Sequence, residues 1–131
     1  MSGVSNLSST VTPINPIYTD TATTVDANTA DVITIPMGVT PGTYIISVNV
    51  AGFEATTPAG VGVEVVGVVR TTGVACVLTG SPDEIYHSET ALNAARATIV
   101  ASGNNAIVQV LGVAGLTINW AASVFSIVKV I

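Results

Sequence analysis

The stretch from Ala97 to Ile131 constrains the fold more than any other part of this 131-residue chain. No charged side chain stands between Arg96 and Lys129, yet the run is cut by Gly103-Asn104-Asn105, by Gly112 and by Gly115. A membrane-spanning helix needs about 20 apolar residues without such interruptions, so the run is read as strands. Leu116-Thr117-Ile118-Asn119-Trp120 alternates, with Leu116, Ile118 and Trp120 on one face and Thr117 and Asn119 on the other. A final strand is expected from Ser123 to Ile131. A strand at the terminus has to be paired, so the rest of the chain is expected to fold around the sheet that holds it.

Upstream, Asp31 to Ile35 reads as a short strand ended by Pro36 and by the turn dipeptide Pro41-Gly42. Thr43 to Glu54 is the clearest strand, with Tyr44, Ile46, Val48 and Val50 on a core face and Thr43, Ser47 and Asn49 on a polar one. Val61 to Val69 is apolar on nearly both faces apart from Glu64, which predicts a central strand covered on both sides. Val74 to Thr79 is another strand. Ser81-Pro82-Asp83-Glu84 fits a capping box with proline at the first helical position, so 82–91 is either a short helix or an acidic loop with one turn. Gly103-Asn104-Asn105 supplies left-handed conformers for a hairpin. The fold class expected is an all-β antiparallel sandwich over residues 31–131, one domain burying roughly two thirds of its unfolded surface.

Residues 1–30 read differently. They are Ser, Thr and Asn with isolated apolar groups, and Pro13 and Pro16 favour extended backbone. An extended N-terminal arm is expected here, with Val11, Ile14, Ile17 and Tyr18 gripping a neighbouring subunit or a larger partner. A purely solvated tail usually carries more charge than Asp20 and Asp26 supply.

Charge narrows the function classes. Hydrophobic residues make up 49% and charged residues 8% of the chain, against a usual charged share of about 25%. Surface polarity must therefore come from Thr, Ser and Asn, and depletion of charge is the compositional mark of interface cores. A homo-oligomer is expected. The net charge is −5 and the three bases, Arg70, Arg96 and Lys129, are scattered, whereas phosphate neutralisation needs clustered cations; no nucleic-acid partner is expected, and no membrane.

Cys76 is single and sits in an apolar run, so it is read as a packing residue. His87 lies among Asp83, Glu84 and Glu89 without a second His or Cys, so a solvated cluster is expected rather than a metal site. Nucleotide-binding, serine-hydrolase and paired-histidine motifs do not occur. Neither catalysis nor a cofactor is expected. Met1 to Asn6 has no basic or apolar leader character, so assembly in a cytoplasm is expected.

From residue 41 onward the order of signals resembles the complement-type globular head and the tumour-necrosis-factor-like jelly rolls. The residues that carry this are Pro41-Gly42-Thr43-Tyr44 opening a strand, a glycine-rich β pair reaching Val68-Val69-Arg70, Ala97-Thr98-Ile99-Val100 before a Gly-Asn turn, and a closing Ser123-x-Phe125-x-Ile127. Asn104-Asn105 stands where that family's usual turn has Gly-Asp. Small, charge-poor versions with a Ser/Thr-rich arm look like the head decoration (cement) and head-fibre proteins of tailed bacteriophages. The resemblance implies a homotrimer bound to the major capsid protein on the outside of a virion. Tyr44, Val63, Val65, Trp120 and Phe125 are then the residues expected at the trimer contact or in the core beneath it. The alternative it leaves is the tip of a fibre or spike that binds a host receptor or glycan.

Overall fold

The computed structural model describes residues 12–14 and 18–131, and for 12–14 the backbone only. The described chain is all-β: two antiparallel sheets enclose one core, and no α-helix is present among the described residues. The strands are β1 (Thr12–Ile14), β2 (Tyr18–Val25), β3 (Thr29–Pro36), β4 (Gly42–Glu54), β5 (Ala59–Thr71), β6 (Cys76–Leu78), β7 (Asp83–Ser88), β8 (Arg96–Ser102), β9 (Asn105–Leu111) and β10 (Thr117–Val130).

The large sheet is built on three long strands in the order β10-β4-β5. β10 pairs along one side with β4, and along the other with β2 at Thr117 to Val124 and then with β1 at Ile127 to Lys129. β5 mirrors this, with β4 on one side and β7 followed by β6 on the other. The sheet is thus five positions wide, each outer position shared by two short strands. The small sheet runs β3-β9-β8. The chain crosses between sheets from β2 to β3, from β3 to β4, from β7 to β8 and from β9 to β10.

Alternation sets the core. Ile46, Val48 and Val50 of β4, Val61, Val63 and Val65 of β5, and Ile118, Trp120 and Val124 of β10 point inward and are buried. They meet Ile33 and Ile35 of β3, Ile99 of β8 and Val108 of β9. A register shift between Asp31 and Ile33 turns both Val32 and Ile33 into the core, as a bulge does when two residues oppose one. Gly52 lies opposite Trp120, and a Cβ there would stand 2.9 Å from the indole ring, so only glycine leaves the ring its place. The indole N–H donates to Thr24 Oγ1 at 2.9 Å, tying β2 to β10 beneath the surface.

Four sequence expectations are corrected. Residues 18–30, expected in the arm, form β2 and the start of β3: Tyr18, Ala22 and Thr24 alternate inward, and Thr24 is needed by Trp120. Residues 82–91, expected as a short helix or an acidic loop with one turn, are mostly strand. Asp83 to Ser88 is a strand, because Ile85 and Tyr86 are good strand formers and the 61–66 stretch of β5 needs a partner on that side; a single turn of 3-10 helix follows at Thr90–Leu92. The strand expected from Val74 to Thr79 shrinks to Cys76–Leu78. Finally, the two segments 116–120 and 123–131 are one strand, β10.

Candidate functional site

Inside the fold, polar side chains serve packing. The Tyr86 hydroxyl of the large sheet lies 3.0 Å from the carbonyl of Ala97 on the small sheet, accepts the Ala97 N–H at 3.1 Å, and is 2.9 Å from Glu84 Oε1. Burial pushes the Tyr86 phenol up, and the Arg96 guanidinium lies 5.1 Å over its ring. The Tyr44 hydroxyl donates to the Met37 carbonyl at 2.6 Å, and the Lys129 ammonium sits 5.0 Å over the Tyr44 ring. Asn104 donates from Nδ2 to the Gly38 carbonyl at 2.8 Å and accepts from the Thr71 hydroxyl. Gly103 takes the positive φ of the β8–β9 hairpin, so Asn104 is present as a tie between loops. Cys76 is buried, its thiol pushed up by burial. Among the described residues no three His, Cys, Asp or Glu side chains gather at metal-binding distance.

Glu54 is the buried exception to the chain's economy of charge. It closes β4, and its carboxylate accepts the backbone N–H groups and the hydroxyls of Thr56 and Thr57 in the β4–β5 turn, with Thr57 N at 3.0 Å from Oε1. The two hydroxyls, against the opposing effect of burial and with the help of the backbone N–H groups, bring the carboxyl from the usual 4.5 to about 2. Four donors on one anion make the turn a fixed device rather than a reactive site.

The feature left over is the outer face of the large sheet. Register defines it row by row. Thr23, Asn119, Phe53 and Gly60 form one row; Thr21, Ala121, Ala51, Gly62 and His87 the next; then Thr19, Ser123, Asn49, Glu64 and Ile85. Below these, Ser126, Ser47, Val66 and Asp83 align, then Val128, Ile45 and Val68, then Val130, Thr43, Arg70 and Val77. Over β2, β10 and β4 the upper rows are mostly small, hydroxyl- or amide-bearing residues, with Phe53 among them, and they hold two overlapping shallow depressions of about 600 and 670 Å³ across Thr21, Ala51 and Ala121. In the lower rows Val128, Ile45 and Val68 form an aliphatic row, and Val66, Val77 and Val130 stand among Ser47, Ser126, Thr43, Asp83 and Arg70.

Phe125 continues the outward parity of Ala121 and Ser123 onto this face, and the register shift between Val124 and Ser126 turns Ile127 into the core. Phe125 is 45% exposed, so of the two places expected for it, a trimer contact or the core, it is not in the core; the bulge puts Phe125 and Ile127 on opposite faces, where unbroken alternation would put them on the same one. Ile45, at 44%, is exposed in the middle of the lower rows.

The other residues singled out by sequence lie elsewhere. Tyr44, Val63, Val65 and Trp120 are buried between the sheets. Tyr18 is half-buried at the start of β2, packed against the core. The backbone of Ile14 pairs with Ile127, and Val11 and Ile17 lie outside the described residues. Sequence reasoning missed Ile45, Val66 and Ile85. Their signal was present, since each sits on the non-core parity of a strand where Thr or Ser is the ordinary choice.

Comparison of the chain with models of protein families, with curated proteins and with solved structures found no match in any of the three.

Proposed function

We propose that this chain is a structural virion protein, a trimeric decoration or cement protein that binds the outer surface of a capsid and stabilises neighbouring shell subunits. The observation that carries the reading is the outer face of the large sheet. At five strand positions and about 13 residues it measures roughly 1,000 Å², which exceeds the roughly 800 Å² per partner of a standard interface. Its charged side chains are few, Glu64 and Arg70 on β5 and Asp83 on β7, and Phe53, Phe125 and Ile45 stand exposed within it. A charge-poor sheet face of this size is suited to being covered.

The jelly-roll and trimer parts of the reading rest on the resemblance. What supports them is the neighbourhood of the terminal strands, β2 beside β10 beside β4 in one sheet and β3 beside β9 in the other. The N-terminal segment before β2 is the proposed anchor. Three such segments on one trimer bind together and gain effective concentration without a strong single contact.

The test is co-sedimentation with purified shells of the virus that encodes the chain, using the full protein and one lacking residues 1–17. The full protein is expected to pellet with the shell and the shortened one to remain largely in solution. Equal binding by both would move the anchor elsewhere, and no binding by either would favour the second reading, a fibre or spike tip that takes a host glycan. The two overlapping depressions, lined by Thr19, Thr21, Thr23, Asn49 and Asn119 with Asp20 at one and Phe53 at the other, are the observation behind that alternative.

A further inference from the structure

We infer that one end of the sandwich, where the β3–β4 loop (37–41), the β5–β6 loop (72–75) and the close of β10 come together, is the surface that seats this chain on a protein shell. This rests on the decoration reading above and names the end of the molecule that carries it out. Val39 and Val74, at 87% and 83%, are the most exposed large apolar side chains among the described residues. Val77, Val130 and Ile131 stand exposed at the same end. Single exposed valines are ordinary, whereas a group of them at one end marks a contact surface.

The two tips are held in place. The Met37 N–H donates to the Asn104 carbonyl at 3.0 Å and Asn104 Nδ2 donates to the Gly38 carbonyl at 2.8 Å, which ties the β3–β4 loop to the β8–β9 hairpin. The Cys76 N–H donates to the Gly103 carbonyl at 2.9 Å and the Thr71 hydroxyl to Asn104 Oδ1 at 2.5 Å, which ties the β5–β6 loop to the same hairpin. Gly73 lies so close to the β3–β4 loop that a Cβ on it would collide with the Val39 carbonyl. Apolar tips fixed at one spacing lose little freedom on binding, so more of the contact appears as affinity. Beside them a groove of about 440 Å³ runs between Ile35, Met37, Tyr44, Ile127 and Lys129, open to a side chain of the partner.

Two observations name the partner. Charge is divided between the ends of the sandwich. Arg70 and Lys129, two of the three bases, lie at this end, and no aspartate or glutamate side chain does: Asp83 of β7 stands opposite Val66, four residues before Arg70 on β5 and about 13 Å away. Asp26, Glu54 and Glu89 lie at the opposite end, with Arg96. In a chain of net charge −5, an end with basic side chains and exposed valines is complementary to a protein surface that offers carboxylates around an apolar recess. The second observation is where the chain enters. Thr12 pairs with Lys129, so residues 1–11, part of the proposed anchor, join the domain at this end. Anchor and tips then meet the same surface. A threefold axis along the strands sets three such ends side by side, and their contacts bind together.

The experiment is co-sedimentation of the full chain with purified shells of the virus that encodes it, comparing Val39→Asp and Val74→Asp with Val25→Asp, which puts the same charge on a half-exposed valine at the opposite end. Folding is followed by the emission of the single tryptophan, Trp120. Each tip aspartate is expected to weaken shell binding at least about tenfold, because its carboxylate is desolvated in the contact and repelled by the partner's acids. Val25→Asp is expected to bind as the full chain does. Binding by the full chain with undiminished binding by either tip variant, or with an equal loss for Val25→Asp, overturns the docking end while the decoration reading stands. No shell binding by the full chain overturns both. Capture of the full chain by phosphatidylserine vesicles and not by shells overturns the protein partner in favour of a lipid surface. Should an aspartate unfold the chain, Val39→Thr and Val74→Thr remove the apolar tips at nearly constant shape, and undiminished binding by these overturns the docking end as well.

Discussion

At the scale of single residues the fold turns on Trp120 and what accommodates it. The indole fills the core opposite Gly52 and hydrogen-bonds to Thr24. Trp120→Ala is expected to lower stability by about 3–5 kcal/mol, and Trp120→Phe by about 1–2 kcal/mol, because it leaves the Thr24 hydroxyl buried without its donor. Gly52→Ala is expected to destabilise by about 1–3 kcal/mol through overpacking against the ring. Urea unfolding followed by circular dichroism measures all three. Alternation alone placed Trp120 inward, whereas its dependence on Gly52 and Thr24 needed the register of β10 against β4 and β2. Glu54 behaves oppositely to a surface acid. Its folded value of about 2 lies below the usual 4.5, so its contribution is fully present above about pH 4.5 and is lost as the pH falls towards 2. Urea midpoints between about pH 7 and pH 2.5 are expected to fall over that window, and Glu54→Gln is expected to flatten that part of the fall and to lower the midpoint at neutral pH.

At the scale of elements the decisive strand is β10, which is paired on both sides for most of its length. Deleting Val128 to Ile131 removes the partners of Ile45, Tyr44 and Thr43 and takes Lys129 from the Tyr44 ring. No soluble, cooperatively folding product is expected, and a sharp thermal transition from such a product would show that the C-terminal residues are dispensable. At the other terminus two cuts are expected to differ. Loss of residues 1–17 removes, among the described residues, the three-residue pairing of β1 and is expected to leave a folded protein, whereas loss of residues 1–30 strips β2 from β10 and uncovers the edge beside Trp120. Scanning calorimetry distinguishes the two. The arm reading failed over 18–30 because Thr19, Asp20, Thr21 and Thr23 look solvated in sequence. They are exposed, but on an edge strand whose Tyr18, Ala22 and Thr24 face the core. The acidic stretch at 83–88 deceived for a related reason, since the strand formed there is recruited by β5 and owes little to its own pattern.

At the scale of the whole molecule, the scarcity of charge, visible in composition from the outset, reappears as a distribution: Glu64 and Arg70 on β5 and Asp83 on β7 are the charges in the rows of the outer face of the large sheet, which otherwise holds mostly hydroxyls, small groups and exposed aliphatics. The two-sheet architecture was legible because alternating strands with a shared core face admit few other solutions. Which strands share a sheet was not, because it depends on long-range pairing, and the placing of Phe125 and Ile127 on opposite faces hung on one bulge. The account makes this chain a subunit whose large-sheet face is covered in its working state. The most direct test is the mass of the full chain in solution by light scattering at micromolar concentration. The account predicts a trimer, three times the mass of the chain. A monomer of native stability at that concentration would contradict it.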